Sequence, residues 1–384
     1  MYKINYEKAW KKAERRDRNM KKGKWLLSVL MVVVMAVCAG CATSGVEVEI
    51  GSNGKVTVTE TTLLQRDVVD KVMSALAKDP ETAASVTEIY DQYLDKMEKV
   101  TEDGVEYYKS VEPKSYNSYS EAEKELKDKV DLSGADIAAD HIYMAMYLEK
   151  DVSGYNSGML SQYESVLTGY GFTVEEVQQL LAAVTIKVNV SFENAVTYCD
   201  DAATIQGKTA TWTFTQDSLA NYGKGLHVFY AETMTESKIK TDKTAPVVSG
   251  VANKGYYKNK SVKVKDNTGV AVVLVDGKQA EESFKLNTYA QGKRTIVAYD
   301  FSGNKKNVTF TYDNTKPTVS GVKNKITYKK AVKIKYADKY GVKAATLNGK
   351  KFKSGKKVSK KGSYTVKVTD KAGNSTVVKF KIKK

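Results

Sequence analysis

The chain has 384 residues, enough for two to four domains of ordinary size, and its 42% hydrophobic and 28% charged residues are usual for folded protein. Only 4 Pro and 26 Gly exclude collagen-like structure and wholesale disorder, while 3 Cys and 2 His exclude a disulfide scaffold or a zinc framework. The net charge of +16 is strongly basic, and its distribution matters more than its sum.

Residues 1–25 carry ten Lys or Arg, from Lys3 to Lys24, against Glu7, Glu14 and Asp17. The apolar run Leu26–Val37 follows and stops at Ala39-Gly40-Cys41-Ala42. Positive, apolar, then small is the order of a secretory signal, and the run falls short of the ~20 apolar residues that span a bilayer. The positive flank keeps that end in the cytoplasm and sends the remainder outward. Met20-Lys21-Lys22-Gly23-Lys24-Trp25 is a complete short n-region by itself, so Met1 and Met20 both stand as starts. Cys38-Ala39-Gly40-Cys41 resembles a bacterial lipobox, with Cys38 where the pattern has Leu, Val or Ile. The resemblance implies a lipoprotein signal peptide over 1–40, acylation of Cys41 and a short anchor linker over 41–45; cleavage near Ala42 or an uncleaved anchor are the alternatives. With Cys41 acylated, Cys199 has no thiol to pair with, and it reads as a small hydrophobe in a strand.

Residues 46–243 predict one α+β domain, helices covering one face of a mainly antiparallel sheet. Alternating runs around Gly51-Ser52-Asn53-Gly54 make a hairpin over 46–61. Val69, Val72, Met73 and Leu76 share a helical face, and Asp79-Pro80 opens a second helix carrying Val86, Ile89, Tyr90, Tyr93, Leu94 and Met97. Glu102-Asp103-Gly104 turns into the strand Val105–Tyr108, and Ser120-Glu-Ala-Glu123 is a capping box. A strand covers 142–148, Thr173-Val-Glu-Glu176 caps a helix, and strands cover 186–192, 209–214 and 227–231.

The last third is an internal repeat. Ala245-Pro246-Val247-Val248-Ser249-Gly250-Val251 returns as Lys316-Pro317-Thr318-Val319-Ser320-Gly321-Val322, Asp276-Gly277-Lys278 as Asn348-Gly349-Lys350, and Asp300…Gly303-Asn304 as Asp370…Gly373-Asn374. Short alternating strands between Gly/Asn/Asp turns predict two small all-β sandwiches, 244–314 and 315–384. This frame resembles the bacterial immunoglobulin-like repeats of surface proteins. The whole layout is similar to Gram-positive surface lipoproteins whose first domain has a "DG-x-x-Y-Y" turn and a "T-x-T-W" strand, here Asp103–Tyr108 and Thr209–Trp212. The resemblance implies extracellular binding or spacer work and supplies no catalytic motif.

Residues 315–384 hold 22 Lys and two acids, Asp338 and Asp370, whereas 26–243 sum to −16. A basic tip on an acidic body draws polyanions. The candidate contacts are Lys350, Lys351, Lys353, Lys356, Lys357, Lys360 and Lys361, and the expected partners are anionic cell-wall polymers, with the membrane reached through the lipid anchor. Lys supplies diffuse charge rather than the fork of Arg, so nucleic acid is not an expected partner. The competing reading is that edge lysines block sheet-to-sheet aggregation.

No catalytic residue, metal site or cofactor is expected. His141 and His227 fall in different strands without metal-ligand spacing, and Asp136, Asp140 and His141 match no triad. Ile205-Gln-Gly-Lys-Thr209 lacks the first glycine of a phosphate loop and joins two strands. Asp300…Asn304 and Asp370…Asn374 read as turns rather than Ca²⁺ loops. Tyr107, Tyr108, Tyr116 and Tyr119 read as packing rather than a ligand platform. The expectation is a non-catalytic surface binding or structural protein on the outer face of the cell membrane; the alternatives are a solute- or protein-binding sensory lipoprotein and a hydrolase with accessory sandwiches.

Overall fold

The computed structural model describes residues 42–383, apart from 79–82, 84–85, 88–93, 103, 131, 150–167, 170, 183–184, 216–217 and 219–221. The leader, Cys41 and most of the expected 79–97 helix lie outside the described residues. The chain divides into two compact units, one ending at Thr241 and one running Asp242–Lys384.

The first unit is strand-rich. Its strands are β1 (Ala42–Ile50), β2 (Val56–Gln65), β3 (Glu98–Glu102), β4 (Val105–Tyr116), β5 (Gly134–Ala138), β6 (His141–Leu148), β7 (Thr185–Phe192), β8 (Tyr198–Cys199), β9 (Ala203–Gln206), β10 (Thr209–Thr215) and β11 (Gly225–Glu232). The helices described over their whole length are α1 (Arg66–Ala77), α2 (Tyr119–Val130), α3 (Val174–Ala182) and the single turn α4 (Lys238–Thr241). A seven-stranded sheet runs β3-β4-β2-β1-β7-β10-β9 and a four-stranded sheet runs β5-β6-β11-β8. The core differs from the expected single sheet under helices. Val48, Val58, Val190 and Trp212 from one sheet share a cluster with Ile142, Met144 and Phe229 from the other and Ala122 and Leu126 from α2. Each Val, Leu, Ile, Met or Phe side chain among them contributes about 1.5–3 kcal/mol on full burial.

Local rules explain the elements. The β1–β2 hairpin closes on Gly54 at φ +86° and pairs Val48 with Val58 in the core. Helix α2 begins earlier than its expected box: Ser118 Oγ accepts the Glu121 amide at 3.3 Å, and Glu121 accepts the Asn117 amide at 3.1 Å. The 3₁₀ turn Leu94–Lys96 ends any helical stretch before Met97, and Glu98 already starts β3. Pro113 sits in β4 opposite Thr59, beyond the end of its β3 partner, so its missing N–H costs no ladder bond on that side.

The second unit repeats itself. The first half has β12 (Val247–Ser249), β13 (Tyr256–Tyr257), β14 (Ser261–Lys265), β15 (Val270–Val275), β16 (Lys278–Ala280), β17 (Ser283–Lys285), β18 (Gly292–Asp300) and β19 (Lys305–Tyr312). The second has β20 (Thr318–Ser320), β21 (Thr327–Tyr328), β22 (Val332–Ala337), β23 (Val342–Leu347), β24 (Lys350–Lys351), β25 (Lys356–Val358), β26 (Gly362–Asp370) and β27 (Ser375–Ile382). Each half pairs a three-stranded with a five-stranded sheet, β12-β14-β17 with β13-β19-β18-β15-β16 and β20-β22-β25 with β21-β27-β26-β23-β24. Facing residues of both sheets share one core in each half, making two sandwiches. The repeated details have repeated causes. Asp276-Gly277 and Asn348-Gly349 both take positive φ in two-residue hairpin turns. The Tyr257 hydroxyl accepts the Ala252 amide as Tyr328 accepts that of Lys323, and both rings meet a phenylalanine edge-on.

Candidate functional site

The lysine excess of the second sandwich follows from strand period. In β22 and β27 buried Val332, Ile334, Val378, Phe380 and Ile382 alternate with exposed Lys333, Lys335, Lys379 and Lys381. The seven nominated lysines cluster further. Lys350 and Lys351 form β24 on the edge of the five-stranded sheet, and Lys356 and Lys357 open β25 on the edge of the three-stranded sheet. Lys353 lies in the crossing between them, and Lys360 and Lys361 lead into β26. All seven are exposed. Lys333 stands directly opposite Lys357, whereas Ser261 at the same place in the first sandwich faces Lys285. Like charges opposed across strands destabilise, so this face carries repulsion that no acid of its own strands relieves.

Three aspartates converge in each sandwich: Asp242, Asp266 and Asp300 in the first, and Asp313, Asp338 and Asp370 in the second. One oxygen from each lies within 4.8 Å of the others. Asp300 and Asp370 end β18 and β26 and do hold turns, each accepting its Asn304 or Asn374 amide at 2.8 Å, with Gly303 and Gly373 left-handed. The side-chain amides of Asn304 and Asn374 also donate to the Asp242 and Asp313 carbonyls, at 3.3 and 2.9 Å. Asp266 accepts from the Thr268 amide, and Asp338 from the Tyr340 and Gly341 amides. Burial pushes the Asp300 carboxyl above its usual range against the Asn304 hydrogen bonds, and the Asp266 and Asp242 charges add to the rise. Burial likewise raises Asp313 against the Thr315 amide bond, with Asp338 and Asp370 adding and Lys339 opposing. The convergence was not legible from the turns alone; the signal available was that all three aspartates recur 70 to 72 residues apart.

The polar residues of the first unit hold structure. His141 is buried, stacks on Tyr143 at 4.2 Å, and its Nδ1 lies 2.8 Å from Asp140, while Asp136 lies 3.8 Å from Nε2. The fold therefore brings together the three residues whose spacing matched no triad. Tyr143 donates to Glu232 at 2.6 Å, and that fully buried carboxylate also accepts the Lys238 and Ile239 amides of α4. Burial and Glu232 push the Tyr143 phenol far above its usual range, so it keeps its proton at neutral pH. His227 meets the Gly223 carbonyl at 2.7 Å and Tyr222 edge-on. Cys199 is half-buried and its thiol is pushed up by burial. The Ile205–Thr209 segment is the β9–β10 hairpin, turning on Gly207 at φ +61°. Tyr108 donates to Asp70, Tyr116 lies in the core, and Tyr119 donates to the Gly51 carbonyl, which accounts for these tyrosines by packing. An open concavity of about 350 Å³ is lined by Tyr116, Glu121, Lys124 and Glu125, and Glu125 is already paired with Lys114 at 2.8 Å.

No family model matches the chain, and no curated protein matches it. Among solved structures, the folded domain of LppM from Mycobacterium tuberculosis aligns with 52% of this chain and 92% of its own, at 10% identity and a TM-score of 0.26. SGBP-B of the Bacteroides ovatus mixed-linkage glucan utilization locus, in complex with a mixed-linkage heptasaccharide, aligns with 51% of this chain and 63% of its own, at 14% identity and 0.15. The I9–I11 tandem from titin aligns with 52% and 92%, at 11% identity and 0.16. At these scores none of the three bears on the fold or the site.

Proposed function

We propose that the chain is a lipid-anchored, non-catalytic binding and structural protein of the cell surface, whose immunoglobulin-like second sandwich docks on anionic cell-wall polymers. The basic–apolar–small leader ending at Cys41 supports the anchor and the outward orientation. The observation that carries the docking is the exposed lysine face spanning both sheet edges, with Lys333 set against Lys357 where the first sandwich has Ser261 against Lys285.

The mechanism is electrostatic. Flexible ammonium groups match a polymer's charge density rather than a shaped headgroup. The field reaches about 8 Å at physiological ionic strength, so contact needs close approach but no pocket. Acyl chains at Cys41 and the lysine face are two weak attachments on one molecule, and each raises the effective concentration of the other where the chain spans the distance. The His141–Asp140 and Tyr143–Glu232 pairs are spent on orientation within the first unit, which supports a role without catalysis.

Retention of the purified full-length protein on isolated cell wall, measured as salt is raised, tests the docking. Retention at low salt that fades towards about 1 M, where the Debye length is about 3 Å, is the expected outcome. Retention indifferent to salt contradicts it.

A further inference from the structure

We propose that Asp313, Asp338 and Asp370 form a calcium site at the joint between the two sandwiches, and that Asp242, Asp266 and Asp300 form its counterpart on the first. Residues 315–384 contain 22 lysines and only two acids, and the fold brings both of those acids to Asp313. In so basic a segment a carboxylate ordinarily meets an ammonium. Among the described residues, none of the six aspartates forms an ion pair, and Lys339 is the cation whose charge acts on Asp313.

Asp313 is only 1% exposed. Its Oδ1 accepts the Thr315 amide at 3.0 Å, but its Oδ2 is buried without a hydrogen-bond partner. In the first sandwich Asp266 Oδ2 is likewise buried without one. An unpaired buried carboxylate oxygen is costly, and two more carboxylates beside it add repulsion. A cation removes both penalties at once. The ligands are all hard carboxylate oxygens, the set that suits Ca²⁺, with water completing the shell. Two oxygens at 2.3–2.6 Å from one ion stand up to about 5 Å apart, which accommodates the observed 4.8 Å.

The placement gives the ion a task. Asp313 directly follows β19 of the first sandwich, whereas Asp338 and Asp370 belong to the second. The joint is already hydrogen-bonded: Asn314 and Thr315 donate to Gln291, and the Lys371 ammonium lies 4.8 Å from the Tyr256 ring centroid. Calcium at the aspartates ties the residue after the last strand of one sandwich to a loop and a strand end of the next, so the pair stiffens when the ion binds.

The test is calorimetric titration of CaCl₂ into chelator-stripped full-length protein, with parallel thermal unfolding and MgCl₂ as the control. Two Ca²⁺ per chain are expected, with affinities of about 10⁻⁴–10⁻³ M, the range of extracellular modules, and a rise in melting temperature that Mg²⁺ does not reproduce. Asp313→Asn is expected to remove one of the two sites, and Asp338→Asn to remove the same one. In the metal-free state Asp313→Asn should melt no lower than the parent, because the substitution relieves carboxylate repulsion. No heat and no thermal shift at 10-fold above that range overturns the proposal and leaves each cluster to share a proton. Unchanged stoichiometry in both variants also overturns it, because binding then belongs to other acids. No wall polymer is present, so this test can fail while the docking reading stands.

Discussion

Gly321 takes φ +84°, and a Cβ built on it would lie 1.9 Å from the Lys333 carbonyl oxygen; at Gly250, with φ +92°, the contact is 2.3 Å to the Ser261 carbonyl. Both backbone handedness and close approach therefore demand glycine at this point of each sandwich. Gly349 also has positive φ, but nothing lies within 4 Å of its would-be Cβ. Gly321→Ala should cost about 1–3 kcal/mol or more of stability, and Gly349→Ala only the left-handed penalty of about 1–2 kcal/mol. Denaturant unfolding of the two variants checks this, and equal losses would contradict it. The Ser-Gly-Val repeat that contains these glycines is visible in the sequence, as are the Asp-Gly and Asn-Gly turns, because both are local. The aspartate clusters are not local: Asp313, Asp338 and Asp370 come from three segments, and only their shared offset with Asp242, Asp266 and Asp300 hints at it.

Elements with self-contained signals are legible, and those defined by their neighbours are not. Thr173–Glu176 caps α3 as its spacing predicts: the Thr173 amide donates to Glu176 at 2.7 Å, and the Glu176 amide donates to the Thr173 hydroxyl at 3.1 Å. Lys71 of α1 adds a bond at 3.2 Å. The Thr173 amide first, and Lys71 second, hold the Glu176 carboxyl below its usual range. A lowered folded value means stabilisation present above the unfolded pKa and lost as pH falls through the folded one. Hydrogen-exchange protection of the α3 amides should therefore decline on acidification, and Glu176→Gln should flatten that decline; an unchanged decline in the variant would contradict the account. By contrast β3 has no fully buried residue, and the alternation of β5 amounts to Ala135 and Ile137 around Asp136, too short to mark a strand by itself. Two sheets meeting face to face leave the same alternation in each strand as one sheet under helices, which is why the packing of the first unit was not readable from its strands.

On the scale of the whole molecule, charge is the organising feature: residues 26–243 sum to −16 while 315–384 reach +20. That segregation is fully legible in the sequence, but the opposition of Lys333 and Lys357 is not, because it depends on strand register. The proposed anchor and the basic end make separable predictions. Cys41→Ser should release the protein from the membrane fraction without changing its affinity for isolated wall, whereas membrane retention of the variant would contradict acylation at that thiol. The lysine face is tested most directly by comparing the full-length protein with a variant carrying Lys→Gln at 350, 351, 353, 356, 357, 360 and 361, measuring wall affinity against salt concentration. Each ammonium that displaces counterions from a linear polyanion steepens the fall of log affinity with log salt. The parent should bind more tightly at low salt and show the steeper slope; superimposable curves for the two proteins would contradict the account.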